Sequence, residues 1–153
     1  MFAGDLGFRV FKLDSSNIQA WDPNRDDLAA SLEAHAKNLK VDRAEQDILF
    51  ELLLKLGLDL TVPIEKKKMK GSVKKGHDVH SIGGGVLLVC LSESIVREDV
   101  EPLAMGIIAW HEEQSPAGET TVVFRDSAFA DDVAKTNLAA ILNQHGLETV
   151  RSL

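Results

Sequence analysis

Between residues 44 and 56 the apolar side chains are Ala44, Ile48, Leu49, Leu52, Leu53 and Leu56. Steps of four, one, three, one and three trace one face of a 3.6-residue helix. A face this apolar must lie against a sheet or a second helix. Asp42 is placed to cap the first turn, with Glu45 three residues on to reach back. Gly57 follows the stripe and can take the left-handed conformation that closes a helix.

The neighbouring segments supply the sheet. Residues 8–13 read as a half-buried strand, although Val10 and Phe11 interrupt its alternation. Residues 14–17 form a turn cluster, and Asp22–Pro23–Asn24 a second turn. Residues 26–39 read as a helix with Leu28, Leu32, Ala36 and Leu39 on one face. After the main stripe, residues 60–64 read as a short strand with Pro63 near one edge.

Residues 77–82 and 86–91 read as strands joined through Gly83, Gly84 and Gly85. The second is an uninterrupted apolar run, expected to be covered on both faces. Pro102 suits a first helical turn, and Leu103, Ile107, Ile108 and Trp110 carry that helix to about Glu113. Residues 121–124 are a β-branched strand. Asp131 is placed to cap a last helix, with Ala134, Leu138, Ile141 and Leu142 on one face and Gly146 at its end. Thr149 and Val150 begin a terminal strand. Late strands alternating with helices imply parallel crossovers, and the middle strands imply antiparallel hairpins. The expected fold is α/β (α+β), a mixed parallel and antiparallel sheet with helices packed on its faces, forming one domain over residues 1–153.

Composition narrows the class. Hydrophobic residues make up 44% of the chain and charged residues 27%, which fits a folded protein rather than a disordered one. No apolar run approaches the ~20 residues of a membrane span. The first residues lack the basic flank and apolar core of a secretory signal. Cys90 is the single cysteine, so no internal disulfide can form, and a cytoplasmic location is expected. Within its apolar run Cys90 reads as a small buried hydrophobe. The net charge of −7 disfavours general coating of nucleic acid.

Several chemical motifs fail on geometry. His77 and His80 are three apart on a strand and so point to opposite faces, which is wrong for a shared metal. The Gly83–Gly84–Gly85 run leads into a strand, whereas a phosphate loop leads into a helix N-terminus. Residues 2–7 have no preceding strand, so they do not form a cofactor loop. No Ser/His/Asp set has a local signature. Glu65 and Lys67 have the Glu-x-Lys spacing of a metal-dependent nuclease. Such a site needs a second acid, and Asp59 is the only nearby candidate.

The basic cluster is more specific. Residues 66–75 carry Lys66, Lys67, Lys68, Lys70, Lys74 and Lys75 and no acid, leaving −13 for the rest of the chain. Such a loop or hairpin can meet phosphate, or its lysines can protect an exposed strand edge. No aromatic residue interleaves them, so base stacking is not indicated. A second charged cluster, Arg125, Asp126, Asp131, Asp132 and Lys135, falls between a strand and a helix. Functional groups often sit there in α/β folds. It reads either as a helix cap with local salt bridges or as an interaction surface.

Four runs resemble a known family in the same order: GFRVFKLDSSN at residues 7–17 followed by Trp21 and Asp22, residues 47–63 with LLLKLGLDL, VFRDSAFADDVAKTN at 123–137, and VRS at 150–152. Together they resemble the C-terminal region of the modification subunit of type III restriction–modification systems, which are adenine-specific DNA methyltransferases. Ala128 stands where that family usually has glycine, which bears only on the local turn. The family's Asp-Pro-Pro-Tyr motif and Phe-x-Gly-x-Gly loop, which hold the flipped adenine and S-adenosylmethionine, lie upstream of this region and do not occur in these 153 residues.

The resemblance therefore implies a non-catalytic domain without a cofactor of its own, S-adenosylmethionine belonging to the parent enzyme. Its implied partners are a second modification subunit, the restriction subunit and, through the parent, DNA. The six lysines are the candidate DNA contacts and the second charged cluster the candidate interface. The alternatives are an independent nuclease-like domain using Glu65 and Lys67, or a protein-interaction module without DNA contact.

Overall fold

A computed structural model describes residues 7–20, 39–40, 42–71 and 76–153. The chain forms two compact units, residues 1–61 and 62–153. The expected turn at Asp22–Pro23–Asn24 lies outside the described residues, as does all of the 26–39 helix except Leu39.

In the first unit the apolar stripe forms helix α1, Glu45–Lys55, which buries Ile48, Leu49, Leu52 and Leu53. Its cap differs from expectation. Ala44 is the N-cap, and its N–H donates to the Asp47 carboxylate at 2.9 Å, so Asp42 does not cap the helix. Residues 8–13 join no ladder, correcting the expected strand. Phe8, Val10 and Leu13 are 88, 81 and 92% exposed. β-Prone residues form a strand only where a partner edge meets their backbone. Here side chains hold the segment instead: Phe11 packs edge-on to Phe50 at 4.8 Å, and Arg9 donates to the Leu60 carbonyl at 2.6 Å. Further on, Ile18 bridges Leu39, and Glu51 of α1 accepts from Ser16 Oγ at 2.5 Å and the Asn17 N–H at 2.7 Å.

The second unit is built on a five-stranded sheet: β1 Ile64–Met69, β2 His77–Ile82, β3 Leu87–Cys90, β4 Thr121–Phe124 and β5 Thr149–Ser152. Spatial order follows chain order. The pairs β1–β2 and β2–β3 are antiparallel, while β3–β4 and β4–β5 are parallel. This is the expected mixed α/β sheet. Helix α2, Arg97–Gln114, links β3 to β4, and α3, Asp132–Gln144, links β4 to β5. The two helices share one core with the sheet. They also pack on each other. Met69, Val79, Leu88, Cys90, Val122 and Phe124 from the sheet join Leu103, Ile107, Leu138 and Leu142 from the helices in one core. All four residues of β3 are buried, so both of its faces are covered as its apolar run implied.

Two boundaries move. The strand expected at 60–64 begins only at Ile64, after Pro63, which has no N–H to give a ladder, and runs through Lys66, Lys67 and Lys68. Helix α2 starts at Arg97, five residues before Pro102, with Glu98 and Asp99 in its first turn. Acids there complement the helix dipole. Pro102 removes one N–H inside the helix, but the carbonyl it would have paired belongs to exposed Glu98, which water can satisfy. Gly106, in mid-helix, lets β1 approach closely: a Cβ there would lie 2.9 Å from Met69 Sδ. Gly76 enters β2 at φ +60°, with a Cβ position only 2.5 Å from the Met69 carbonyl oxygen.

Candidate functional site

The carboxyl ends of β3, β4 and β5 open on the same side of the sheet, where α/β folds place their sites. Chain links brace this end. Leu153 donates its N–H to the Phe124 carbonyl at 2.8 Å, and the Asp126 N–H donates to the Leu153 carbonyl at 3.0 Å. A 3-10 turn, Asp126–Ala128, follows β4, and the Ile95 N–H donates to the Ala128 carbonyl at 2.7 Å.

On this frame the structure separates the second charged cluster into pairs. Lys135 bonds Asp126 and donates to Ser152 Oγ at 3.1 Å. The Lys135 hydrogen bond holds the Asp126 carboxyl below its usual range against the opposing effect of burial. Arg125 Nε donates to Ser127 Oγ at 3.0 Å, with Glu93 3.9 Å from the guanidinium. Asp131 caps α3 by accepting the Ala134 N–H at 2.8 Å and pairs with Arg97 of α2 at 2.6 Å. The N–H bond first, and then Arg97, lower its carboxyl. Asp132 stays exposed. Sequence reasoning placed the Asp131 cap but missed Arg97, which lies 34 residues away and has no local signal.

The lysines fall on the outer strand. Lys66, Lys67 and Lys68 stand on β1 at the sheet edge and are exposed. Alternation sends Lys66 and Lys68 to one face, where Asp78 lies 3.0 Å and 3.9 Å from their ammonium groups. The Lys66 bond outweighs burial and lowers the Asp78 carboxyl. Lys67 points to the helical face, 2.7 Å from Glu113 and 5.5 Å from the Trp110 ring centre. The stretch without acids in sequence thus acquires them in space. Lys70 is exposed, and Lys74 and Lys75 lie outside the described residues. Glu65 and Lys67 share a face of β1, but Lys67 is engaged by Glu113, and Asp59 accepts from Thr61 within its own turn.

One array has no counterpart in the sequence reading. His77 Nε2 lies 3.0 Å from Asp99 Oδ2, and Nδ1 lies 3.0 Å from Ser92 Oγ. Cys90 Sγ lies 3.4 Å from the same hydroxyl. Nε2 faces a carboxylate oxygen and Nδ1 a hydroxyl, so a ring with its proton on Nε2 donates to Asp99 and accepts from Ser92. His77 and Asp99 are 6% and 3% exposed. The array ties the start of β2, the exit of β3 and the first turn of α2. His80, on the other face of β2, takes no part, as the alternation implied.

Comparison with protein-family models, with curated proteins and with solved structures returns no match for this chain. Among the described residues no helix is long and apolar enough to cross a membrane.

Proposed function

We propose that the chain is a non-catalytic assembly and DNA-positioning domain of a type III modification subunit. The observation that supports this most is the convergence of two separated runs that resemble that family. Residues 123–137 and 150–152 meet at one end of the sheet, where Lys135 joins Asp126 to Ser152. Exposed Asp132 lies beside this knot and offers a charge to a partner subunit. The lysine edge is the surface through which the domain would lie along a phosphate backbone, as an accessory to the parent's own contacts.

On this reading S-adenosylmethionine is held elsewhere in the parent enzyme; of the two glycine-bearing runs, residues 2–6 lie outside the described residues. The Gly83–Gly85 turn joins β2 to β3 rather than leading into a helix, so it presents no N-terminal amides to a cofactor. Methyl transfer is therefore assigned to other parts of the parent enzyme.

The test has two arms. The chain incubated with labelled S-adenosylmethionine and adenine-containing DNA is expected to transfer no methyl group; turnover would refute the reading. In the whole modification subunit, Asp132→Lys is expected to weaken association with its partner subunits on sedimentation while circular dichroism stays unchanged. Asp132 is the better reversal than Asp131 or Lys135, because those two hold the fold together. Unchanged association would remove Asp132 from the interface.

A further inference from the structure

Residues of α2 and α3 line a trough of about 490 Å³. Val100, Val133, Ala134, Ala140 and Ile141 give it an apolar lining, and small Ala134 and Ala140 leave the space open. Val133 is 55% exposed and offers apolar surface to a ligand. The lining residues of α3 fall at 133, 134, 137, 140, 141 and 144, one face of the helix over roughly 17 Å.

The rim is acidic. Arg97 is the cation lining the trough, and Asp131 takes it up. Glu101 lines the trough one turn from Arg97, and Glu98 and Asp132 stand exposed at the same end. Glu98 and Asp132 also suit the first turns of their helices, but Glu101 lies beyond that turn and gains little from the dipole.

We infer that this trough docks a basic amphipathic helix of a partner protein. Helices wall the trough, so no strand edge is available there for β-addition, whereas a third helix can set an apolar ridge between two others. Its apolar residues at i and i+4 would meet Val133 and Ile141, and its flanking Lys or Arg would meet Glu98, Glu101 and Asp132. A second copy of this chain is a poor occupant. Among the described helices, α1 carries Glu45, Asp47 and Glu51 against Lys55, α2 is more acidic still, and α3 is balanced. The inference does not depend on the family reading above.

The probe is a labelled 18-residue helical peptide of Leu and Lys at helical spacing, with its Leu/Glu counterpart, measured by fluorescence anisotropy against the full chain. The Leu/Lys peptide is expected to bind and the Leu/Glu peptide not. Ala140→Trp, which fills the trough, and Glu101→Lys, which reverses its rim, should each weaken binding ~10-fold, while Glu148→Lys, an exposed acid outside the trough, should not. Hydrogen exchange on the unmodified chain should slow at residues 97–104 and 133–144 when peptide is added. Equal weakening by Glu148→Lys, equal binding of the Leu/Glu peptide or protection elsewhere would overturn the proposal. So would self-association of the chain that the peptide displaces.

Discussion

Replacing His77 by Ala removes both ring contacts of a buried array at once. A hydrogen bond to a charged group contributes about 1.5–3 kcal/mol, and a neutral one about 0.5–1.5 kcal/mol. The expected loss is therefore roughly 2–4 kcal/mol. For a chain of this length each kcal/mol lowers the melting temperature by about 2–4 °C, so a fall of roughly 4–16 °C follows. Urea unfolding followed by Trp110 fluorescence, in a Trp21→Phe background, reports on the unit that contains the array. The midpoint should fall with the slope unchanged. Crossing His77→Ala with Asp99→Ala separates their contact from the rest of each side chain. A coupling energy below about 0.5 kcal/mol would refute the claim that the two residues act as a tie.

Acid should loosen the first unit. Burial works to raise the Glu51 carboxyl, but bonds from Ser16, Lys55 and the Asn17 N–H outweigh it and hold it at about 2, against an ordinary 4.5. The Arg43 bond, and then the Ser15 N–H, lower Asp14 from 3.8 to about 2. Both pKa values fall on folding, so their stabilisation is whole above pH ~4.5 and disappears as pH drops toward 2. The Asn17 amide resonance should titrate with a midpoint near 2, and a midpoint near 4.5 would contradict the bond to Glu51. Asp131→Ala should lower the urea midpoint through the lost cap, whereas Asp131→Asn keeps the cap and loses only the Arg97 charge pair. Equal loss in the two variants on urea unfolding would show that the ion pair carries the effect.

The elements read most faithfully from sequence carry their own stop signals. β2 is bounded by Gly76 and Gly83, and its residues 77–82 were assigned without error. The α1 stripe buried the four central residues it should have, because the 3.6 period is a property of the helix itself. Errors arose where a distant partner decides. Residues 8–13 have strand composition but find no ladder, while the lysines of β1, which read equally as hairpin or loop, form the first strand of a hairpin because β2 pairs with them. Pro102 was taken for a helix start because its chemistry allows one, and Glu98 and Asp99 carried the better signal. In the sites, the Asp131 cap was legible from its position before an apolar stripe. The His77–Ser92–Asp99 array was not, since its members lie 15 and 22 positions from His77 and each is ordinary among its neighbours.

Strands laid side by side in the order of translation have a consequence for biogenesis. Each new strand leaving the ribosome meets the edge made by the one before it, although each parallel addition waits for a helix to be made first. Until β5 arrives, the edge of β4 stays open, and Val122, Val123 and Phe124 along it form an adhesive surface for another nascent chain. The four residues Thr149–Ser152 thus serve as a cover strip that arrives only after α3 has been made.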